Sequence, residues 1–350
     1  MIIFAADLHL RMAIWSKHPD ITGDHAIAWR ELVRAVVTRP GSSLILGGDI
    51  FHNTSPSGEI ENLFRMGMDI MLGKGHKVYF IPGNHDDEAV PRPTLFGAER
   101  LEEGVVVDVD GISVAAINYH RVTEVLQQAL ADAPPCDLLI MHTAFRHTLG
   151  FADMWQCTEE DVPEHVGAVL VGHIHKHVEK GKIYSPGSIC VNSIAEIDPA
   201  DHGYYLVDKD KIEWHRLEGR LFQSIELNEE TAGLLNSWAR QKGLLPPVVN
   251  LSFPRTREDE VDDLIRRFPS IRFLKNARSA EIAEVLVTSE QEGLDLDGVV
   301  SSALAEMLAD NLSARNLASS LITDPDPARV LEDFLKEDVQ LSENLEKSGK

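Results

Sequence analysis

The sequence predicts an α/β fold built on mixed β-sheets, and two observations carry that prediction. Short runs rich in Val, Ile and Leu alternate with stretches of helical periodicity through about residue 190, the pattern of strands joined by helices. Asp110-Gly111 and Lys209-Asp210 interrupt the alternation. They are hairpin signals that add antiparallel pairs to the parallel ones. In order, residues 2–6 read as a buried strand. Residues 25–37 read as a helix, with Ile27, Leu32, Val33 and Val36 near a 3.6-residue period. A strand over 43–46, a helix over 59–72 and a strand over 77–81, closed by Pro82-Gly83, follow. Residues 105–109 and 112–118 flank the first hairpin turn. Residues 137–141, 168–171 and 183–184 are further short strands, and 203–207 with 211–215 form the second hairpin.

The character changes after about residue 220. Residues 229–242 read as a helix ended by Pro246-Pro247. A strand–helix–strand unit over 248–253, 258–268 and 271–274 comes next, with 283–287 as an added strand. From Gly293 the chain is acidic and helical. Two apolar helical faces, one through Val299 and Leu312 and one through Val330 and Val339, are separated by Asp324-Pro325-Asp326-Pro327. The expected organisation is a main domain over 1–220, a small α/β cap over 221–290 and an acidic helical region over 291–350.

Composition narrows the function classes. The chain has 350 residues, 43% of them hydrophobic, which excludes wholesale disorder. No apolar run approaches the ~18 residues at which a membrane span is the better reading. The start lacks the basic region of a signal peptide. The three cysteines, Cys136, Cys157 and Cys190, form no CxxC pair, so a disulfide framework and a thiolate zinc site are both disfavoured and a cytoplasmic location is expected. The net charge is −23. Such a chain repels phosphate on average, so work on nucleic acid needs bound cations, a local basic patch or a basic partner.

Polar residues cluster where the apolar runs stop: Asp7-Leu8-His9, Gly47-Gly48-Asp49, Gly83-Asn84-His85-Asp86, His142, and Gly172-His173-Ile174-His175. The ends of strands are where α/β sheets place their sites. Carboxylate, amide oxygen and imidazole donors without sulfur suit Mn, Fe or Zn. Asp7 and His9, like His173 and His175, would share one side of an extended segment. Asp49 has two oxygens and can bridge two cations. The glycines before Asp49, Asn84 and His173 allow sharp turns and leave room for metal and substrate.

In this order the clusters resemble the calcineurin-like metallophosphoesterases. The resemblance implies an α/β/β/α sandwich of two mixed sheets around a two-metal centre, most plausibly with Mn2+. It implies Asp7, His9, Asp49 and His175 on one cation and Asp49, Asn84, His142 and His173 on the other. It implies His85 as the residue that steadies the transition state or protonates the leaving oxygen. Asp86 either orients His85 or is an ordinary solvated loop residue.

A narrower resemblance rests on Gly48-Asp49-Ile50-Phe51-His52-Asn53-Thr54-Ser55-Pro56-Ser57, Gly83-Asn84-His85-Asp86-Asp87, Tyr184-Ser185-Pro186-Gly187-Ser188 and residues 202–208. These are similar to the SbcD family of DNA nucleases, the partners of the SbcC ATPase. That likeness implies an exonuclease/endonuclease acting in DNA repair or recombination, of bacterial or phage type. It implies His52 as a contact to the DNA phosphate; the alternative is a loop imidazole facing water. It implies a homodimer, to which the helix over 59–72 would contribute unless its apolar face is buried within one subunit. The C-terminal helices would dock on the ATPase or pack on their own domain. His18, His76, His147 and His165 have no motif and are expected at the surface. Two other functions stay open: a phosphodiesterase for nucleotides or other small molecules, and a non-catalytic scaffold.

Overall fold

The structure, a computed structural model, describes residues 1–15, 18, 20–86, 92–146, 156–197, 202–209, 211–241 and 243–278. The expected strand over 283–287, the helical region over 291–350, Asp87, His147 and the turn residue Asp210 lie outside the described residues. The described chain falls into two compact units. The first, residues 1–251 with 264–274, holds both large sheets and all the residues singled out above within the described chain.

Strand β1 (Ile2–Ala5) leads to helix α1 (Asp24–Val37), β2 (Ser43–Gly47), α2 (Gly58–Gly73), β3 (Val78–Ile81) and the two-residue β4 (Glu99–Arg100). The hairpin β5 (Val107–Val109) and β6 (Ile112–Ile117) turns at Asp110 and Gly111, both with positive φ, as a type I′ turn requires. Then come α3 (Thr123–Ala131), β7 (Cys136–His142), β8 (Val166–Gly172), β9 (His177–Lys180), β10 (Ile183–Pro186), β11 (Gly203–Asp208) and β12 (Lys211–Arg216). Two six-stranded sheets result, ordered β12-β11-β1-β2-β3-β4 and β5-β6-β7-β8-β10-β9. β1, β2 and β3 run parallel, while β11 is antiparallel to β1. Both sheets are therefore mixed.

Alternation along the strands builds the layers. Ile2 and Phe4 of β1 face inward with Ile45, Tyr79 and Ile81. There they meet Val114, Leu138, Ile140 and Leu170 of the other sheet. Ile3 and Ala5 face outward onto Trp29, Leu32 and Val36 of α1 and Phe64 and Met68 of α2. On the far side Ala115, Leu139, Met141, Val169 and Val171 cover Leu126 and Leu130 of α3. The order is thus helices, sheet, sheet, helix. Each fully buried side chain of this kind contributes about 1.5–3 kcal/mol of hydrophobic stabilisation. α2 spends its stripe of Ile60, Phe64, Met68 and Met71 on this core and leaves Met66 (53%) and Ile70 (48%) exposed.

Beyond the sandwich, β13 (Phe222–Glu226), α4 (Thr231–Ala239), β14 (Val248–Pro254), α5 (Glu258–Arg267) and β15 (Arg272–Arg278) follow, with a three-stranded sheet ordered β13-β14-β15. Ile14, Ile21, Val191, Phe222, Val248 and Leu274 form one buried cluster within the first unit. In the second unit Lys275 Nζ reaches Glu258 Oε1 at 3.0 Å and Asp262 Oδ1 at 3.1 Å. Strands β4, β9 and β13 and helix α3 have no counterpart in the sequence prediction. His76 is buried rather than at the surface, with Nδ1 donating to the Ser42 carbonyl at 2.8 Å. That carbonyl at the end of the α1–β2 turn needs a donor. His165, as expected, is exposed. No helix among the described residues is long and apolar enough to cross a membrane.

The start of α1 is pinned by a buried ion pair. Arg220 donates Nε to Asp24 Oδ1 at 2.7 Å, Nη2 to the Thr22 carbonyl at 2.7 Å and Nη1 to the Pro246 carbonyl at 3.0 Å. Both side chains are nearly inaccessible. Arg220→Ala strands the Asp24 carboxylate without its partner, and chemical denaturation should show a loss of about 3–5 kcal/mol; a loss below ~1 kcal/mol would mean that solvent reaches the pair.

Candidate metal centre

All five polar clusters meet at one end of the sandwich, where β1, β2, β3, β7 and β8 stop. The β1–α1 and β2–α2 loops run side by side. Asp7 N–H donates to Gly48 O at 3.1 Å, His9 N–H to Asp49 O at 2.8 Å and Leu10 N–H to Ile50 O at 3.0 Å. These bonds hold Asp7, His9 and Asp49 at positive φ of 54°, 41° and 51°, and His173 joins them at 88°. The expected extended Asp7-Leu8-His9 segment is not formed. The two side chains converge instead through a left-handed backbone, a conformation that costs on the order of 1–3 kcal/mol per residue and collects at functional sites.

The glycines serve the side chains around them more than an open space. A Cβ on Gly48 would collide with the His142 ring, and one on Gly83 with the Asp49 carboxylate. Asp86 has neither of its two expected roles. Its carboxylate accepts the amides of Gly83 at 2.9 Å, Ile50 at 3.2 Å and Phe51 at 3.4 Å, which ties the Asn84 loop to the Asp49 loop. Burial pushes it up to about 6. His85 is oriented by another group, its Nδ1 donating to the His52 carbonyl at 2.9 Å. Ser185 of the Tyr184–Ser188 motif donates its hydroxyl toward the carbonyls of Ile174 at 3.2 Å and Lys176 at 3.1 Å, bracing the loop that carries His173 and His175.

The structure brings together all seven residues expected to hold metal. Asp7, His9, Asp49 and His142 form a buried floor; His173, His175, His52 and His85 are partly exposed, and Asn84 is exposed. Asp49 sits at the centre. Its Oδ1 accepts the His85 N–H at 2.8 Å, and its Oδ2 lies 3.4 Å from both His9 Nε2 and His142 Nε2. On one side, His175 Nε2 is 2.9 Å from His9 Nε2 and 3.8 Å from Asp7 Oδ1. On the other, Asn84 Oδ1 is 3.1 Å from His142 Nε2 and 2.8 Å from His173 Nδ1. Two groups result whose donor atoms lie within 4.8 Å of one another: Asp7, His9 and His175, and Asp49, His142 and His173.

The donor set fits divalent cations on a specific ground. His142 gives its Nδ1 proton to the Gly47 carbonyl at 2.8 Å, so in the neutral ring Nε2 is a lone pair. That lone pair faces the oxygens of Asp49 and Asn84. Three acceptors pointing at one another need positive charge among them, either a proton or a cation. Burial would lower His142, but the Asp49 carboxylate and its hydrogen bond win and raise it to about 9. For Asp49, burial is outweighed by His142, His9 and the His85 amide, and its carboxyl lies below the usual range. Burial dominates elsewhere, lowering His9 to about 2 and His173 to about 4 and raising Asp7 to about 6.

Beside the centre, the His52 ring stacks on His85 with centroids 5.6 Å apart. Arg11 Nη1 donates to His52 Nε2 at 3.0 Å, and its Nη2 donates to the Asn192 carbonyl at 2.7 Å. His52 is therefore not a free loop imidazole. Arg11, Asn192 and Glu196 had no sequence argument. For Glu196 a signal existed in the Ser193-x-x-Glu196 spacing, which marks a reciprocal cap. It gave no hint of what else the carboxylate would meet.

The family described as calcineurin-like phosphoesterase matches residues 1–177, a span containing every residue of the seven. Among solved structures, one crystallographic chain is similar at 13% identity with a TM-score of 0.36, over 62% of this chain and 98% of that one. No curated protein matches.

Cation binding should be proton-coupled. His142 holds a proton up to about pH 9 in the metal-free protein. A cation must expel it, whereas His9 and His173 are already neutral well below pH 7. Apparent Mn2+ affinity should therefore rise with pH toward about 9, and calorimetry in buffers of different ionisation enthalpy should detect proton release at pH 8. The same affinity from pH 7 to 9 would mean that His142 does not titrate against the cation.

Proposed function

Because the chain belongs to the calcineurin-like phosphoesterase family, whose members hydrolyse phosphoesters with divalent metals, we propose that it is a two-metal, Mn-type DNA nuclease of the SbcD kind, with exonuclease and endonuclease action. The observation that carries the hydrolytic reading is the position of Asp49 Oδ2, 3.4 Å from an imidazole of each donor group. The assignment of Asp7, His9, Asp49, Asn84, His142, His173 and His175 as ligands rests on it. A cation pair held there supplies charge that clamps a phosphodiester and stabilises the attacking and leaving oxygens.

The chain's own residues do the rest. Asp49 and the neighbouring imidazoles fix where the phosphate can lie. His85, with Nδ1 committed to the His52 carbonyl, has Nε2 for the substrate. A proton carried on Nε2 passes to the leaving oxygen when the P–O bond breaks. His52, stacked on His85 and held by Arg11, carries the choice of DNA over a small phosphodiester. It would meet a strand oxygen beside the one being cut.

The partner reading follows from charge. At −23 the chain holds duplex DNA poorly by itself. An SbcC-like ATPase would supply the basic groove and dock on the helical region over 291–350. The main domain over 1–220 would carry the chemistry and 221–290 would cap it. Exposed Met66 and Ile70 on α2 favour a homodimer. Three free, buried cysteines suit a reducing, cytoplasmic setting.

End-labelled duplex DNA in Mn2+ tests this reading. His85→Ala should lower cleavage by about 10²–10⁴-fold, and His52→Ala should lower digestion from ends more than internal nicking. Rapid hydrolysis of small phosphodiesters with no cleavage of DNA, alone or with an ATPase partner, would favour the small-molecule enzyme. Failure to take up Mn2+, Fe2+ or Zn2+ at saturation would favour the scaffold.

A further inference from the structure

The segment after β10 carries a carboxylate that the hydrolysis itself does not use. Glu196 Oε1 lies 3.1 Å from His175 Nδ1 and accepts the Ser193 hydroxyl at 3.0 Å; Oε2 accepts the Asn192 N–H at 3.0 Å. Both oxygens are thus committed, and the side chain is locked. Asn192 is locked in turn. Its carbonyl accepts Arg11 Nη2, and its Oδ1 accepts His25 Nε2 at 3.1 Å, with His25 buried.

The consequence for His175 is tautomeric. A neutral imidazole carries one proton. A carboxylate cannot donate, so the proton facing Glu196 must sit on Nδ1, and Nε2 is left as a lone pair. Without Glu196 the ring is free to put its proton on Nε2 and donate to His9 Nε2, only 2.9 Å away. That arrangement places a proton between the two rings, where an incoming cation would have to displace it.

We propose that Glu196 is the positioning residue for the cation site built on His175, holding the ring in the tautomer and orientation that present its Nε2 lone pair beside Asp7 and His9. Carboxylates placed behind metal-bound imidazoles act in this way, and their loss weakens metal affinity by about 10–100-fold. The role rests on reading His175 as a ligand, and it is specific to one of the two donor groups. Asn84, His142 and His173 have no contact with Glu196 among the described hydrogen bonds.

The test is Mn2+ binding by the full chain, followed by electron paramagnetic resonance of free Mn2+ and by calorimetry. His175→Ala identifies which binding event belongs to its site. Glu196→Ala should weaken that event by about 10–100-fold and leave the other unchanged. Glu196→Gln keeps the size and an acceptor oxygen while losing the charge, and should show a smaller shift in the same event. In the His175→Ala background, Glu196→Ala should add nothing. Asp69→Asn breaks an exposed ion pair on α2 (Arg65 Nη1 to Asp69 Oδ2, 2.8 Å) that touches none of the ligands among the described contacts, and should leave both events alone. Wild-type binding in both Glu196 variants overturns the role, as does an equal loss at both sites. Wild-type protein that takes up no Mn2+ overturns the reading of His175 as a ligand, and this role with it.

Discussion

The constraint on which the rest of the site depends is the crowding of acceptors around Asp49. One carboxylate oxygen lies between two imidazole nitrogens, an amide oxygen lies against one of them, and beyond the other His175 lies against a second carboxylate, Asp7. In a buried floor such an array is stable only with positive charge inside it. A proton on His142 provides that charge in part. A pair of divalent cations provides it fully and matches the donors on both sides. The same crowding would draw cations to the site and couple their binding to pH.

Holding such an array requires a scaffold that resists its own repulsion. Four donor residues occupy left-handed backbone, a conformation that non-glycine residues avoid. Adjacent parallel strands offset this cost. β1 and β2 end together, so their following loops pair through Asp7, His9 and Leu10. Asp86 fastens the third loop to the second by two amides, those of Ile50 and Phe51, and Ser185 fastens the loop of His173 and His175 to β10. Neither Asp86 nor Ser185 is among the seven residues that would hold the cations. Their effect is to bring four loops from two sheets to one point.

An acidic chain that works on a phosphoester faces a field of the wrong sign. The site answers locally. Cations would reverse the charge where the phosphate binds, and Arg11, which donates to His52, adds a fixed positive group at the rim. The charge elsewhere disfavours long nonspecific contacts with nucleic acid.

Much of the fold was legible in the residues. Strands that are short continuous apolar runs, such as residues 2–5, and helices with a stripe every three or four residues, such as α1, declare their burial locally. Polar short elements escaped: β4 is Glu99-Arg100 and β9 holds only Val178 as an apolar residue, so neither stands out as an apolar run. The donor residues were legible as well, because polar residues after apolar runs are conspicuous. Asp86 and Glu196 were not, since an isolated carboxylate looks the same whether it meets water, backbone amides or an imidazole. By itself, then, the sequence determined the layers and the chemical types at the strand ends, both properties of near neighbours in the chain. Only the tertiary structure decided that Asp49 lies between two imidazoles, that Asp86 binds backbone amides and that Glu196 backs His175. Glu196 and His175 are 21 positions apart, Asp86 and Ile50 are 36 apart, and Asp49 and His142 are 142 − 49 = 93 apart, and sheet order and loop closure, not local pattern, set such distances.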